Sequence, residues 1–134
     1  MRGRRPMSRS EVMARVRSKD TTPELTVRRA VHAAGFRFQL HRKTLPGSPD
    51  LVFVSRCIAV FVNGCFWHGH TCEDGKRPSS NVEYWDKKIG RNVARDRASY
   101  KALRRRGWTP IIIWTCRLKQ DLRRLLAVLQ ERTQ

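Results

Sequence analysis

The segment Gly64–Cys72, which reads GCFWHGHTC, constrains the fold most, because soft metal ligands, two aromatic rings and a further imidazole share one short stretch. Cys65, His70 and Cys72 offer the sulfur and nitrogen donors that zinc prefers, and Cys116, just past a predicted strand, can supply a fourth ligand. A set of three cysteines and one histidine leaves no open position on the metal. The segment therefore predicts a structural zinc site that pins a long loop to the rest of the fold.

The charge of the chain indicates its partner. The sequence has 29 Lys and Arg against 11 Asp and Glu, which gives a formal net charge of +18. Arginine dominates the cations, and its planar guanidinium suits phosphate groups, so nucleic acid is the predicted partner. A membrane surface is the alternative. The spread of basic residues along the whole chain, instead of one amphipathic helix, argues against it.

Length and apolar content predict one folded domain. The 134 residues are enough for a single core, and a hydrophobic content of 40% argues against a disordered basic tail. We predict one domain over residues 1–134. Within it, residues 1–20 form a basic arm that contains a short helix near residues 10–18.

The cysteines are predicted to be reduced. The longest apolar runs are strand-sized, and the basic start of the chain has no apolar core after it, so neither a membrane span nor a secretory signal is expected. We therefore expect a cytoplasmic protein, in which cysteines are metal ligands or core residues rather than disulfides. Cys57 is predicted to be an ordinary buried cysteine, and that alternative stays open for Cys116.

Hydrophobic periodicity predicts the order helix, three strands, helix, strand, helix. Thr21 and Glu24 have capping-box spacing at the start of the first helix, and Ser80 and Glu83 repeat that spacing at the start of a long one. Gly90 is predicted to bend or break the long helix. The elements cover residues 21–35, 36–40, 51–54, 57–62, 80–106, 108–114 and 119–130. This order predicts an α/β fold with an α-β-β-β-α-β core, a mixed sheet flanked by helices.

Asp50 follows a proline at the entry to a predicted buried strand, and Phe61-Val62-Asn63 ends the next strand. Nucleases of the restriction-enzyme class place an acidic residue at the first position and an acidic-x-Lys triplet at the second, where both converge on magnesium beside the scissile phosphate. Here the triplet contains neither an acid nor a lysine. Asp50 is therefore a candidate magnesium ligand, and a plain Pro-Asp turn is the alternative.

Three further titratable residues lie around these strands. His68 sits between the predicted zinc ligands and can act as a general acid or base near neutral pH. Glu24 is equally well explained as a capping-box residue. Asp96, between two arginines, is equally well explained as part of a solvated ion pair.

The tryptophans divide into two groups. Trp67 follows Phe66 among metal ligands in a polar loop and Trp85 lies near the start of the long helix, whereas Trp108 and Trp114 fit the core at the last strand. Side chains inserted between base steps unstack them at a cost of about a few kcal/mol per step, and stacking on an aromatic ring returns roughly 1–3 kcal/mol per base. This exchange is most favourable where the duplex is already weakened. Phe66 and Trp67 therefore predict selectivity for a mismatch or other damaged site.

Five motifs together resemble the very short patch repair endonuclease family (Vsr). The resemblance runs from about Met13 to Leu118, and its motifs are Arg17–Glu24, Leu45–Asp50, Phe61–His68, Trp85–Asp96 and Gly107–Trp108. It implies a restriction-endonuclease-like core. It also implies an enzyme that nicks one DNA strand 5′ to the thymine of a T:G mismatch left by deamination of 5-methylcytosine, with a functional link to a cytosine-5 DNA methyltransferase.

The same resemblance implies a role for each matching residue. Asp50 and the backbone carbonyl of Val62 would bind magnesium, and His68 would be the catalytic histidine, assisted by Glu24 and Asp96. The zinc ligands would be Cys65, His70, Cys72 and Cys116. The intercalating wedge would be Phe66, Trp67 and Trp85, and the residues near the mismatched bases would be Met13, Lys88 and Asn92.

One pair of adjacent residues departs from the family pattern. Where its best-known member has a Thr-His pair, this chain has Val62 and Asn63. The backbone carbonyl that would bind magnesium is still present, because every residue has one. The second imidazole is lost. Asn63 cannot titrate and could only orient a water molecule or a phosphate oxygen. His68 therefore remains the predicted proton-transfer group.

We predict a magnesium-dependent, zinc-stabilised DNA strand-nicking enzyme that acts on T:G mismatches as a monomer associated with the bacterial nucleoid. Two alternatives stay open. The first is an enzyme of the same chemistry that serves a restriction or defence system with another recognition sequence. The second is a zinc-containing protein that binds mismatched or bent DNA and whose catalysis is weakened by Asn63.

Overall fold

The computed structural model describes residues 21–132. Its helices and strands follow the predicted order, and short 3-10 helices lie in three of the connections. The helices are α1 (Thr22–Ala33), α2 (Val82–Arg105) and α3 (Leu118–Glu131), and the strands are β1 (Gln39–Leu40), β2 (Leu51–Phe53), β3 (Ile58–Asn63) and β4 (Thr109–Trp114). The predicted basic arm, its short helix and Met13 lie outside the described residues. Among the described helices, none is long and apolar enough to cross a membrane.

The four strands form one mixed sheet in the order β1-β2-β3-β4. The first three pair antiparallel, whereas β4 pairs parallel with β3, so that Val60 lies opposite Ile111 and Asn63 lies opposite Trp114. Because paired parallel strands end at the same edge of a sheet, the segments that follow Asn63 and Trp114 lie side by side. The predicted mixed sheet and α-β-β-β-α-β order are confirmed, and this edge gathers the candidate site.

Helices cover both faces of the sheet. The face towards α1 and α3 is built from Val27, Val31, Leu51, Phe53, Ile58, Val60, Ile113, Leu125 and Leu129. The opposite face packs against α2 through Val52, Ala59, Phe61 and Leu103, with Tyr100 partly buried against it. Successive residues of β2 and β3 therefore alternate between two apolar layers, which explains why these strands are apolar at almost every position.

Helix α2 departs from the predicted boundaries at its start. It begins at Val82, and its N-cap is Asn81, which has a φ of 55° and makes no side-chain capping bond. The predicted capping box of Ser80 and Glu83 is therefore wrong. Gly90 does not break the helix. A glycine costs a helix about 1 kcal/mol, which is less than the roughly 1.5–3 kcal/mol gained by burying each large apolar side chain on either side of it.

Strand β1 and Cys57 also differ from expectation. Strand β1 covers two residues instead of residues 36–40, because the backbone N–H of Phe36 donates to the carbonyl of Val31 at 3.2 Å and closes the end of α1.

Cys57 is exposed, so the prediction that it is buried is wrong. It lies in the tight connection between β2 and β3 with a left-handed φ of 55°, where the core does not enclose its side chain.

Candidate active site and metal centre

Asp50 lies at the start of β2, beside the end of β3. Its Oδ2 accepts a hydrogen bond of 2.7 Å from the backbone N–H of Val62. Burial raises the pKa of Asp50 to about 6; the bond from Val62 opposes that rise, and the negative charge of Glu24 adds to it. The charges of His41 and His68 offset this rise only in part, and a partly buried carboxylate beside a second carboxylate favours a bound cation.

Helix α1 brings Glu24 to this carboxylate. The hydroxyl of Thr21 accepts a hydrogen bond of 3.4 Å from the backbone N–H of Glu24 and caps the helix. The Glu24 carboxylate points away from the cap. It is buried, lies 2.6 Å from Nε2 of His41 and also contacts the guanidinium of Arg28. The capping interpretation therefore accounts for the backbone at Glu24 and not for its side chain.

His41 is a site residue that the sequence did not reveal. Its backbone N–H donates to the carbonyl of Asp50 at 3.0 Å, directly after the pairing of Leu40 with Leu51. Its ring completes a group with Glu24 and Asp50 in which the ligand atoms all lie within 4.8 Å of one another. His41 also holds a left-handed φ of 48°, which is uncommon for a residue with a side chain. The group could hold a divalent cation.

His68 and Asp96 form a close pair that could transfer a proton. Nδ1 of His68 lies 2.5 Å from Oδ2 of Asp96 on helix α2, so Asp96 pairs with a histidine as well as lying among arginines. With Nδ1 engaged, Nε2 is the nitrogen that can exchange a proton with substrate or water. The charge of His68 also lowers the pKa of Asp50, which places the imidazole within electrostatic reach of that carboxylate.

Asn63, at the end of β3, contacts a second residue that sequence reasoning missed. Its side chain is buried, at 3% exposure, and its Nδ2 donates to the hydroxyl of Tyr100 at 2.9 Å. Burial raises the pKa of Tyr100 to about 12; the bond from Asn63 opposes that rise, and the charges of Asp96 and Asp50 add to it. The carboxylates, the imidazole and the tyrosine hydroxyl therefore share one electrostatic environment.

Four soft donors meet just past the paired ends of β3 and β4. Cys65, His70 and Cys72 come from the loop after β3, and Cys116 comes from the 3-10 turn after β4. Their ligand atoms all lie within 4.8 Å of one another, and Cys116 Sγ lies 3.5 Å from His70 Nδ1. Tetrahedral zinc with ordinary Zn–S and Zn–N bonds separates a sulfur from a nitrogen by about 3.6 Å. The predicted group could therefore hold a zinc ion.

The thiols of this group influence one another. Although Cys116 is exposed, partial desolvation of its thiol among the other donors raises its pKa to about 12, and its neighbours Cys65 and Cys72 add to that rise. Burial also acts to raise the pKa of Cys72, but hydrogen bonds, foremost with His70, lower it to about 7. A metal ion would stabilise the thiolate form of such a group. The loop can close around it only with glycine at position 75, because a Cβ on Gly75 would meet the carbonyl oxygen of His70 at 2.0 Å.

The three predicted wedge residues form an aromatic cluster beside the metal centre. Phe66 and Trp85 are buried, at 4% and 3% exposure, whereas Trp67 is half-buried. The Trp67 ring lies 5.1 Å from the Phe66 ring and 5.5 Å from the Trp85 ring, measured between centroids. Asn92 Nδ2 donates to the carbonyl of Trp67 at 3.0 Å, and Lys88 is exposed on the same helix. Of the three rings, Trp67 is therefore the most accessible to DNA.

Trp114 packs against His70, one of the candidate metal ligands. Its ring stacks on that of His70 at a centroid distance of 4.1 Å and an interplanar angle of 16°. Buried Asp121 fixes the end of β4 by accepting a hydrogen bond of 2.9 Å from the backbone N–H of Trp114. Trp108 is partly buried and packs against the core layer under α2, as predicted, whereas Trp114 packs against His70 instead of entering the core.

The chain matches the family model described as DNA mismatch endonuclease Vsr over residues 4–74. This range contains Glu24, His41, Asp50 and His68, together with three of the four residues of the metal centre. Both parts of the candidate site are therefore represented within the matched region.

Curated relatives match most of the chain. Type II nicking enzyme V.XorIIP from Xanthomonas oryzae pv. oryzae is 50% identical over 113 residues, which are 84% of this chain and 83% of that protein. Type II nicking enzyme V.NmeAIP from Neisseria meningitidis is 40% identical over 111 residues, or 83% and 79% of the two chains. DNA mismatch endonuclease Vsr from Escherichia coli is 37% identical over 112 residues, or 84% and 72%. The similarity is thus not confined to one motif.

Proposed function

This chain belongs to the Vsr family of DNA mismatch endonucleases, and from that premise we propose that it nicks one strand of duplex DNA 5′ to the thymine of a T:G mismatch. The family relationship makes the chain a DNA endonuclease with a restriction-endonuclease-like core. Relatives named nicking enzymes support cleavage of a single strand. The observation that carries the proposal is that Asp50, in a group that could hold a cation, lies within electrostatic reach of His68, which Asp96 engages.

The proposed cofactor at Asp50 is magnesium. Carboxylate and carbonyl oxygens are the donors that magnesium prefers, and Asp50 with the backbone carbonyl of Val62 would provide them. When bound, the ion would polarise the scissile phosphate and lower the pKa of the attacking water. The negative charge of Glu24, which helps to raise the pKa of Asp50, supports a cation at this position.

The side chains around Asp50 have separate proposed roles. His68 Nε2 exchanges the proton that moves during phosphodiester hydrolysis, and Asp96 holds the ring through Nδ1. Glu24, which contacts His41, orients water at the reacting phosphate. Asn63 does not titrate, and Nε2 of His41 is engaged by Glu24, so His68 is the imidazole proposed to transfer the proton.

We propose that Cys65, His70, Cys72 and Cys116 hold a structural zinc ion. Four protein ligands would complete its tetrahedral shell, so the ion has no open position for substrate. The loop between these ligands also carries Trp67 and His68. Zinc would therefore fix the DNA-contacting ring and the catalytic imidazole relative to the sheet.

Affinity for DNA and selectivity for a mismatch are proposed to have different sources. The net charge of +18 provides attraction to phosphates that does not depend on sequence and weakens steeply with salt. Trp67 would insert at the mismatch, supported from beneath by buried Phe66 and Trp85. Lys88, Asn92 and Met13 would lie near the mismatched bases.

A nicking assay on duplexes that differ at one base pair tests the proposed function. We expect the T:G duplex to be cut in one strand, on the 5′ side of the thymine, when magnesium is present. The matched T:A duplex should remain intact under the same conditions. Equal cutting of both duplexes, cutting of both strands, or activity without a divalent cation would each contradict the proposal.

Trp67→Ala is expected to reduce discrimination between mismatched and matched duplexes more than it reduces total DNA binding. Stacking worth roughly 1–3 kcal/mol per base corresponds to about one to two decades of affinity. That loss should fall on the mismatched duplex, because a wobble pair is easier to open than a matched stack. Binding to both duplexes, measured by fluorescence anisotropy over a range of salt concentrations, checks the prediction.

Trp67→Phe is the matched control for this experiment, because it keeps an aromatic ring above Phe66 and Trp85. It should retain most of the discrimination of the parent enzyme. Equal weakening of both duplexes in Trp67→Ala, with an unchanged salt dependence, would show that Trp67 is a packing residue.

A second candidate function is nicking for a restriction or defence system with another recognition sequence. The names of V.XorIIP and V.NmeAIP, both type II nicking enzymes, favour it. A panel of T:G duplexes with varied flanking bases measures how strongly nicking depends on the surrounding sequence. Strong dependence on one flanking sequence would favour the second candidate over an enzyme that nicks every T:G mismatch. The non-enzymatic alternative is disfavoured by membership of an endonuclease family.

We further propose that the chain acts as a single-domain monomer at the bacterial nucleoid, with a functional link to a cytosine-5 DNA methyltransferase. Methylation supplies the 5-methylcytosine whose deamination leaves thymine opposite guanine. A methyltransferase gene beside the gene of this chain would support the link. Size-exclusion chromatography with light scattering tests the monomer.

A further inference from the structure

The hydroxyl of Tyr100 faces the catalytic groups from helix α2. Its oxygen accepts the 2.9 Å hydrogen bond from Nδ2 of Asn63. Its ring packs edge-on against Phe61, with 5.0 Å between the centroids. Both contacts come from β3, so the ring and the hydroxyl are fixed relative to the strand that ends at the site.

The hydrogen of this hydroxyl has no acceptor in the part of the chain that the structure describes. Asn63 approaches the oxygen as a donor, so the O–H bond must point elsewhere. Oδ2 of Asp50 accepts from the backbone N–H of Val62 and Oδ2 of Asp96 contacts His68, and neither carboxylate accepts from Tyr100 among the described contacts. Since burial raises the pKa of Tyr100 to about 12, the hydroxyl stays protonated at neutral pH. An oriented, neutral donor therefore lies where an anionic substrate would be cut.

Helix α2 makes two contacts of this kind, one turn apart. Asp96 holds His68, and Tyr100 holds Asn63. Residues four apart lie on the same face of a helix, so both contacts point to the same region in front of the sheet edge. The position where a family member has a titratable histidine is thus occupied by an amide that orients a hydroxyl.

We propose that the Tyr100 hydroxyl is a further catalytic group, which donates a hydrogen bond to a nonbridging oxygen of the scissile phosphate, and that Asn63 is the residue that positions it. The inference rests on the proposed function, because it requires a phosphodiester at this site. Negative charge on those oxygens changes during the reaction, and a donor that is already oriented stabilises the transition state without reorganisation. Unlike an imidazole, this donor keeps its proton across the working range of pH.

Tyr100→Phe removes the donor and keeps the ring against Phe61. A hydrogen bond to a charged group of this kind predicts that kcat falls about 10- to 150-fold, while the Kd for duplex stays within about threefold. Tyr84→Phe is the matched control, because Tyr84 is exposed on the same helix and loses the same hydroxyl. It should leave kcat unchanged.

Phosphorothioate substrates separate a phosphate contact from a structural role. Sulfur in place of the contacted oxygen is a poorer acceptor, so the parent enzyme should cut one diastereomer more slowly than the other. In Tyr100→Phe the hydroxyl donor is absent, so the difference in cutting rate between the two diastereomers should be smaller than in the parent enzyme. Asn63→Ala should lower kcat by disordering the hydroxyl, and combining it with Tyr100→Phe should add little, because the two residues act as one unit.

All variants are assayed on the duplex that the parent enzyme nicks best. If the preferred mismatch is not T:G, another duplex is used as substrate, and the rates of the variants can still be compared with that of the parent. Failure of the parent to prefer the T:G duplex contradicts the proposed function alone. Parental kcat in Tyr100→Phe, or the same phosphorothioate penalty in both enzymes, overturns the role of Tyr100.

Discussion

Asp50→Asn is expected to abolish nicking while the affinity for mismatched duplex stays within a few-fold of the parent. The amide keeps the size of the side chain and an acceptor for the backbone N–H of Val62, but it removes the negative charge that we propose binds magnesium. Metal polarisation of a phosphoryl group contributes several kcal/mol, so the rate should fall by at least about 10³-fold. DNA affinity arises from the net charge of +18, which changes little.

Single-turnover nicking and equilibrium binding, both measured on the same labelled T:G duplex, separate the two effects. Asp86→Asn is the matched control, because Asp86 is an exposed carboxylate paired with Arg77 at the surface. It should nick at the parental rate. Parental nicking by Asp50→Asn would show that the assignment of the active site is wrong.

The stability of Asp50→Asn gives an independent readout. Since burial raises the pKa of Asp50 from 3.8 to about 6, the folded protein binds this proton more tightly than the unfolded chain does. The resulting stabilisation is fully present below pH 3.8 and is lost as the pH rises through about 6. At neutral pH without magnesium, the neutral amide should therefore raise the free energy of unfolding, by up to about 3 kcal/mol. Urea denaturation should show this difference shrinking as the pH falls from about 8 to about 5.

Much of the candidate site could be placed from the sequence, because its residues lie at the ends of strands. The apolar runs at residues 51–54 and 57–62 indicate buried strands without any tertiary information, so Asp50 and Asn63 could be placed at strand ends. Cys65 and Cys116 each follow a strand by two residues, and the parallel pairing places Asn63 opposite Trp114. The four-residue metal group therefore follows from sequence spacing once the two strands are taken as neighbours.

Contacts between distant elements could not be predicted in the same way. His41 reaches Glu24 because the short pairing of β1 with β2 ends in a residue with a left-handed φ of 48°, and no local pattern indicates that turn. In the sequence, Tyr100 looks like any other apolar position of an amphipathic helix, and nothing marks it as a site residue. Its spacing from Asp96 shows that the two share a face, but only the docking of α2 on β3 determines that Asn63 is its partner.

Local preference also gave wrong or incomplete expectations where tertiary packing decides. Phe66 and Trp67 were both expected to insert between base steps, yet the loop folds Phe66 onto Trp85 and leaves half-buried Trp67 as the more accessible ring. The capping spacing of Ser80 and Glu83 matched a helix start, but the chain enters α2 one residue later. In both cases the sequence pattern was compatible with several local structures, and contacts from elsewhere in the fold selected one of them.

Cys116→Ser is expected to release the metal and to lower the Tm steeply. Structural zinc contributes about 10–16 kcal/mol in small zinc peptides, which is comparable with the roughly 5–15 kcal/mol stability of a whole domain. Cys116 is the most informative ligand to change, because it is exposed and its replacement removes no core packing. Cys65, at 2% exposure, would lose packing and metal binding together.

Cys57→Ser is the matched control, because Cys57 is also exposed but lies outside the metal group. The parent and Cys57→Ser should each bind about one zinc ion per chain, whereas Cys116→Ser should bind little and melt more than about 10 °C lower. Nicking and mismatch selectivity should be lost together with zinc, because the metal-binding loop carries both His68 and Trp67. A parent protein without zinc, or Cys116→Ser with the parental Tm, would contradict the four-ligand site. Either result would mean that packing alone, without a metal, holds the loop in place.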